Sequence, residues 1–180
     1  PESDIDNALN YITLKTVHEK KFGNVHLNKT GAMVQQLGYR MYQAQSVNHD
    51  GNLTTTADQN GHSTLMTAFS ESAFNLQPFS VNVGLSAQYF TLNQNYTIEP
   101  RAGVAYQFGG KHTLSFGYGL HSRLEPINIY LAETGNGQQA NKNLDFTKAH
   151  HMVLGYQTKF SDWIWWICDF ACRFGCEKFR

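Results

Sequence analysis

Cysteine is missing from the first 167 residues of this 180-residue chain, then appears three times, as Cys168, Cys172 and Cys176. A body without thiols suits an oxidising compartment such as the periplasm. Charge is the second shortage: charged residues make up 16% of the chain, against ~25% in an ordinary soluble domain. Formal net charge is zero and the isoelectric point is about 7.5, so the basic footprint of a nucleic-acid binder is lacking. No run approaches the ~18 consecutive apolar residues of a transmembrane helix. The opening Pro1-Glu2-Ser3-Asp4 carries no basic n-region or apolar h-region, so a signal peptide is expected either upstream or not at all. Also missing are a GxSxG nucleophile motif, a phosphate-cradling glycine loop and glycosidase-like paired carboxylates. Gly117-Tyr118-Gly119 is no nucleotide loop, since no helical pattern follows it. No catalytic, cofactor-binding or metal residue is therefore assigned, and the chain is not expected to be an enzyme.

Aromatics reach 13% and apolar content is an ordinary 41%. The place of the missing charge is taken by Gly, Asn, Gln, Ser and Thr, a mixture that suits a sheet with one apolar and one polar, uncharged face. Residues 62–160 alternate with a period of two. In the first run Phe79, Val81, Val83, Leu85, Ala87 and Tyr89 oppose Ser80, Asn82, Gly84, Ser86 and Gln88. In the second, Ile98, Pro100, Ala102, Val104, Tyr106 and Phe108 oppose Thr97, Glu99, Arg101, Gly103, Ala105 and Gln107. A third sets Leu114, Phe116, Tyr118 and Leu120 against Thr113, Ser115, Gly117 and Gly119. A fourth sets Met152, Leu154, Tyr156 and Phe160 against His151, Gly155, Gln157 and Lys159, with Val153 as the one apolar exception. Helical spacing is absent from all four. Each run is about eleven to thirteen residues long, which at ~3.3 Å per residue and ~45° tilt crosses an apolar band of roughly 25 Å. Soluble strands are nearer five or six residues.

Gln77-Pro78 and Gly109-Gly110 are expected to be tight hairpin turns, with a medium link around Asn93-Gln94-Asn95 and long links over 46–61 and 124–145. This alternation of short and long is that of periplasmic turns and external loops. Phe79, Phe108 and Phe160 would then form one aromatic belt, and Tyr89, Phe90 and Tyr96 the other. Upstream, 25–45 reads as a strand with Val25, Leu27, Met33, Leu37, Tyr39 and Met41 on one face, interrupted by Lys29 and Gln35. Leu65–Leu76 reads as a strand with a bulge near Ser70-Glu71-Ser72. Ile5–Leu14 fits helix or strand equally.

Several segments in order resemble the barrel of TonB-dependent outer-membrane receptors: Glu99-Pro100-Arg101-Ala102-Gly103-Val104, His112–Gly119, Leu120-His121-Ser122-Arg123, Glu125–Tyr130, Asn143–His151 and Leu154-Gly155-Tyr156. In that family a barrel of about 22 strands encloses an N-terminal plug. The resemblance implies uptake of a bulky nutrient (metal chelate, cobalamin or glycan), energised through TonB by an inner-membrane complex. It also implies outer-membrane lipid as surroundings, a small-molecule or glycan ligand and no nucleic-acid partner. No plug or TonB-contacting segment is recognisable. The fold expected is an all-β, antiparallel up-and-down transmembrane β-barrel, partial, with about six strands, too few to close. Such a piece is not expected to transport alone. Alternatives are a small outer-membrane barrel (structural protein, adhesin or passive pore) and a soluble β-sandwich binding module.

The chain divides into an unassigned segment 1–24, the partial barrel 25–160 and a Trp/Cys-rich tail 161–180. The tail reads as aperiodic, as though truncated or frame-shifted, or else as an interfacial aromatic helix. On a helix Cys168, Cys172 and Cys176 would share a face, but they match no strong metal pattern. His150 and His151, adjacent on a strand, point to opposite faces and cannot chelate one ion together. His18, His26, His49, His62, His112 and His121 look scattered. Glu99 and Arg101, two apart on the polar face, could pair in the barrel wall or face a plug. Glu125 and Glu133 lie in or beside the long loop, where an external ligand would be met.

Overall fold

The structure, a computed structural model, describes residues 3–46, 53–132, 141–161 and 164–176. Its elements are β1 (Ser3–Phe22), β2 (His26–Ser46), β3 (Leu53–Leu76), β4 (Phe79–Phe90), β5 (Asn95–Phe108), β6 (His112–Arg123), α1 (Ile127–Leu131), β7 (Thr147–Ser161) and β8 (Ile164–Cys176). The strands form one antiparallel sheet in the order β1 to β8, each paired with its neighbour in sequence. This is an up-and-down barrel sheet that does not close; β1 and β8 are its edges. Among the described residues it has eight strands rather than six, the two additions coming from the chain's ends.

The links alternate as the turn chemistry predicts. At one end lie Gly23 at φ 63°, the Gln77-Pro78 turn, and Gly109 and Gly110 at φ 57° and 69°, a conformation that glycine adopts without steric cost. Backbone bonds tie the turns to the next strand across, Asn75 N of β3 donating to Val25 O at 2.8 Å and Gln107 N of β5 to Pro78 O at 2.9 Å. At the other end lie a short link after Phe90 and the segment 124–146. The expected long link 46–61 is mostly strand, since β3 begins at Leu53.

One open reading is settled and two further expectations are corrected. β1 is strand throughout, its ambiguity arising because apolar residues fall on both faces. β3 has no bulge near Ser70, and its register to β4 runs unbroken from Leu65 to Leu76. Its slip in pattern is a change in which face is polar. The tail continues the meander as β8, paired with β7 from Lys148↔Cys176 to Ser161↔Ile164. Even positions there do alternate in the sequence (Ile164, Trp166, Cys168, Phe170, Cys172, Phe174, Cys176), but Trp165, Ile167 and Ala171 between them hide the period.

The sheet is inverted relative to a soluble one. Ile98 is 50% exposed while the next residue, Glu99, is 4% exposed; Leu85 is 52% exposed and Ser86 7%. The face bearing Glu99 and Arg101 is called inner below, the opposite face outer. Over β4–β7 the outer face carries Val83, Leu85, Val104, Phe116 and Leu154, all exposed, an apolar band that water would not favour and lipid would. Stacked rings line its tight-turn rim: Phe79 with Tyr106 at 4.8 Å, Tyr106 with Phe108 at 5.7 Å, Phe108 with His112 at 5.3 Å. The Phe160 side chain lies outside what is described. At the far rim Tyr89 pairs with Tyr96. Phe90 departs from the expected belt: as an even position of β4 it shares the inner face with Gln88, and it is buried there.

Candidate functional site

The charged residues of β5, Glu99 and Arg101, lie on the inner face. Across the sheet in hydrogen-bonding register, one row runs Glu19, Lys29, Glu71, Gly84, Arg101, Gly119 and His151. Each residue sits there because its strand alternates and the turns fix the register. Gly84 separates Glu71 from Arg101, and a Cβ on it would lie 2.9 Å from Glu71 Cγ and 3.0 Å from Arg101 Cγ. Its missing side chain therefore lets the two meet across β4, Arg101 Nη1 to Glu71 Oε1 at 3.1 Å. Arg101 Nη2 reaches Glu99 Oε2 at 3.4 Å, the wall pairing that was one of the two readings for those residues. Lys29 Nζ pairs with Glu19 Oε2 at 3.0 Å.

Glu99 is the most enclosed of these charges, and the chain supplies its donors. Gln88 Nε2 donates to its Oε1 at 2.6 Å and the Ser122 backbone N at 3.0 Å. The second bond follows from Pro100. The β5–β6 ladder runs from Phe108↔His112 to Arg101↔Gly119 and stops there. Gln107 donates toward β4, and amides along a strand alternate sides, so residue 100 faces β6 with no N–H to give. Where the ladder stops, the Glu99 carboxylate accepts the Ser122 amide, and Thr97 Oγ1 bonds Ser122 Oγ at 2.8 Å. A buried carboxylate is tolerable only with such donors and a cation beside it.

Over this row lies a cavity of about 480 Å³, lined by Leu27, Lys29, Glu71, Asn82, Gly84 and Arg101 among others. It offers charged pairs and an amide to a polar occupant. Above it, at the end opposite the tight turns, the segment after β6 folds onto the inner face. Phe90, Tyr130 and Phe146 form a buried cluster with Leu37, Leu65, Leu92, Leu124, Ile127 and Leu144 packed around it. Asn93 Nδ2 and Asn95 Nδ2 donate to Leu144 O at 2.8 and 3.0 Å, pinning the segment down. Burial pushes the Tyr130 phenol above its ordinary range; the Glu125 backbone opposes this, and the charges of Glu125 and Asp145 add to it. Glu125 accepts from Thr147 Oγ1 at 2.6 Å and lies 3.6 Å from Arg123, so it ties the segment to β7. Glu133 lies outside the described residues.

The other candidates separate. On β8 the cysteines are four residues apart along a strand, roughly 13 Å, so they cannot share one ion. Cys168 is exposed and free, and Cys172 is free and half-buried. His150 meets Tyr118 Oη at 2.9 Å on the outer face and His151 takes the inner face, as adjacency requires. His112 joins the aromatic rim, 2.8 Å from Tyr156 Oη, and His26 stacks between Phe22 and Phe74. His18 and His62 are exposed, and His49 lies outside the described residues. Sequence reasoning missed one pairing: His121 and His151 stand with ring centroids 4.7 Å apart. Only the β6–β7 register reveals it. Among the described residues no three His, Cys, Asp or Glu side chains gather as a metal cluster.

An apolar, exposed outer face over an enclosed polar one, on one meandering antiparallel sheet, defines a section of outer-membrane-type β-barrel wall. No protein-family model matches the chain, and no curated protein matches it. Among solved structures it is similar to the outer membrane transporter YddB from Escherichia coli, with 15% identity and a TM-score of 0.63 over 88% of this chain. The chain spans 24% of the length of that transporter. At this identity the likeness shows the fold.

Proposed function

We propose that the chain forms part of the wall of a TonB-dependent outer-membrane receptor of a Gram-negative bacterium and has no enzymatic role. The receptor takes up a bulky nutrient, a metal chelate, cobalamin or a glycan, with energy delivered through TonB. One observation carries this reading: the inverted sheet, in which Leu85 and Ile98 face outward while Ser86 and Glu99 are enclosed. A soluble sandwich would bury the first pair and expose the second. The likeness to an outer membrane transporter and the resemblance of 99–156 to receptor barrels support it further. The inner row of paired charges suits a wall facing a polar, wetted interior.

The test has two stages. With a signal peptide supplied, the chain is expected in the outer-membrane fraction, its open β1 and β8 edges paired with further copies, as a species whose gel mobility changes on heating; a soluble, monodisperse monomer would sink the membrane reading. Uptake by cells carrying the receptor that contains this wall should then stop when TonB is deleted. Uptake indifferent to TonB would mark a passive pore instead.

A further inference from the structure

We propose that His121 and His151 form a site for a late first-row divalent cation, Cu²⁺ first and Ni²⁺ or Zn²⁺ after it, on the inner face of the sheet. Register brings them together: Gly119 pairs with His151 and His121 with Ala149, so the imidazoles are diagonal neighbours on one face. Their centroids lie 4.7 Å apart with the ring planes at 48°. Two imidazoles bound to one ion at ~2.0–2.1 Å, with a bond angle of roughly 90–110°, hold their centroids roughly 4.5–5.2 Å apart. The tilt also sets this pair off from the chain's stacked rings, such as Phe79–Tyr106 at 24° and His26–Phe74 at 12°.

Gly119 makes the arrangement possible. A Cβ there would lie 2.9 Å from His121 Nε2, so a ring nitrogen, not a ring carbon, leans over the residue that pairs with His151. No third His, Cys, Asp or Glu of the described residues joins them, which leaves the remaining positions to water. Hard cations such as Ca²⁺ and Mg²⁺ require several oxygen ligands, and no Asp or Glu of the described residues gathers with this pair into a group of three. Arg101 occupies the same row, so attraction rests on imidazole lone pairs and not on net charge. Imidazole suits copper, nickel and zinc, and the affinity order puts Cu²⁺ ahead. The site stands whether or not the wall belongs to a transporter.

Copper titration of the full chain tests this, with Cys168, Cys172 and Cys176 changed to serine and folding checked by heat-modifiable mobility in detergent. Alkylating the native thiols serves the same purpose if that variant does not fold. Expected is one Cu²⁺ per chain whose electron paramagnetic resonance spectrum shows coupling to two imidazole nitrogens. His121→Gln and His151→Gln should each weaken binding by about tenfold or more and leave a single-nitrogen pattern. Gly119→Ala should weaken it with both histidines still present, whereas His150→Gln, on the opposite face, should change nothing. Binding indifferent to His121→Gln, or absent from the folded chain, overturns the proposal.

Discussion

The two halves of the sheet obey different rules. Over β4–β7 the outer face is mainly apolar and the inner face mainly polar, with Phe90 and Val153 as the large apolar residues on the inner one. Over β1–β3 the faces are mixed. Ser72 and Ser70 sit directly opposite Val83 and Leu85 on the outer face, and Asn28 and Thr30 pair with them in turn. These four satisfy one another: Asn28 Nδ2 donates to Ser72 Oγ at 3.0 Å, Thr30 Oγ1 donates to Asn28 Oδ1 at 3.0 Å, and Thr30 and Ser70 hydroxyls lie 3.0 Å apart. The inner face of the same strands carries Leu27, Met33, Leu37 and Phe69. A polar patch whose hydrogen bonds close on themselves can lie beside an apolar band at low cost. A strand's alternation thus fixes which residues share a face, but its neighbours fix which face meets the surroundings.

The sharpest way to break this comparison is to place a lysine on each side of the frontier. Leu85→Lys, in the apolar band, should cost about 2–4 kcal/mol, the penalty for a cation on a lipid-facing barrel position near the midplane. Ser70→Lys, its register partner at the same depth, should cost less, because the neighbouring hydroxyls and amide can hydrogen-bond the ammonium. Denaturant unfolding of the chain in lipid vesicles, followed by gel mobility, gives both values. Equal penalties would mean that the frontier between β3 and β4 has no bearing on what covers the outer face.

A second contrast lies among the inner-face ion pairs. Arg101→Ala removes the cation from Glu99, whose side chain is 5% exposed, and should cost about 2–3 kcal/mol, because an enclosed carboxylate loses its partner. Lys29→Ala breaks a pair whose side chains are 48% and 46% exposed and should cost about 0–1 kcal/mol. The same unfolding measurement decides. A large loss at Lys29 would show that the β1–β3 side is as enclosed as the β4–β6 side.

What was legible follows the same frontier. The strands from Phe79 to Tyr156, and their faces, were readable because polar and apolar residues alternate there with few exceptions, Val153 and Phe90 the large ones. β1 and β8 were not, for Ile5, Leu9 and Tyr11 share β1 with Ile12 and Leu14 on its other face, and Trp165 and Ile167 mask the even positions of β8. Ser70-Glu71-Ser72 looked like a bulge because a polar residue on the outer face was not expected. Pairing of Glu99 with Arg101 was one of two readings their spacing of two allowed. Glu71, Gln88 and Ser122, which complete their network, are 11–30 residues away and come together only through register. The His121–His151 pair was invisible for the same reason.

The smallest expected effect concerns why Leu37 and Leu65 turn inward on β2 and β3. Both pack against the Phe90–Tyr130–Phe146 cluster, so their inward placement is explained by the segment that covers them. Burial raises the Tyr130 phenol above its reference value of 10.0. The folded chain therefore holds the proton more tightly than the unfolded chain, and this stabilisation is intact below pH 10. As pH rises through the folded value the phenol ionises, the unfolded state has already released its proton, and the contribution is lost. Unfolding midpoints taken from about pH 8 to about pH 11 should fall more steeply for the native chain than for Tyr130→Phe, which keeps the ring and removes the ionisable group. Identical slopes would mean that the cluster does not enclose the hydroxyl, and the inward turn of Leu37 and Leu65 would then need a different cover.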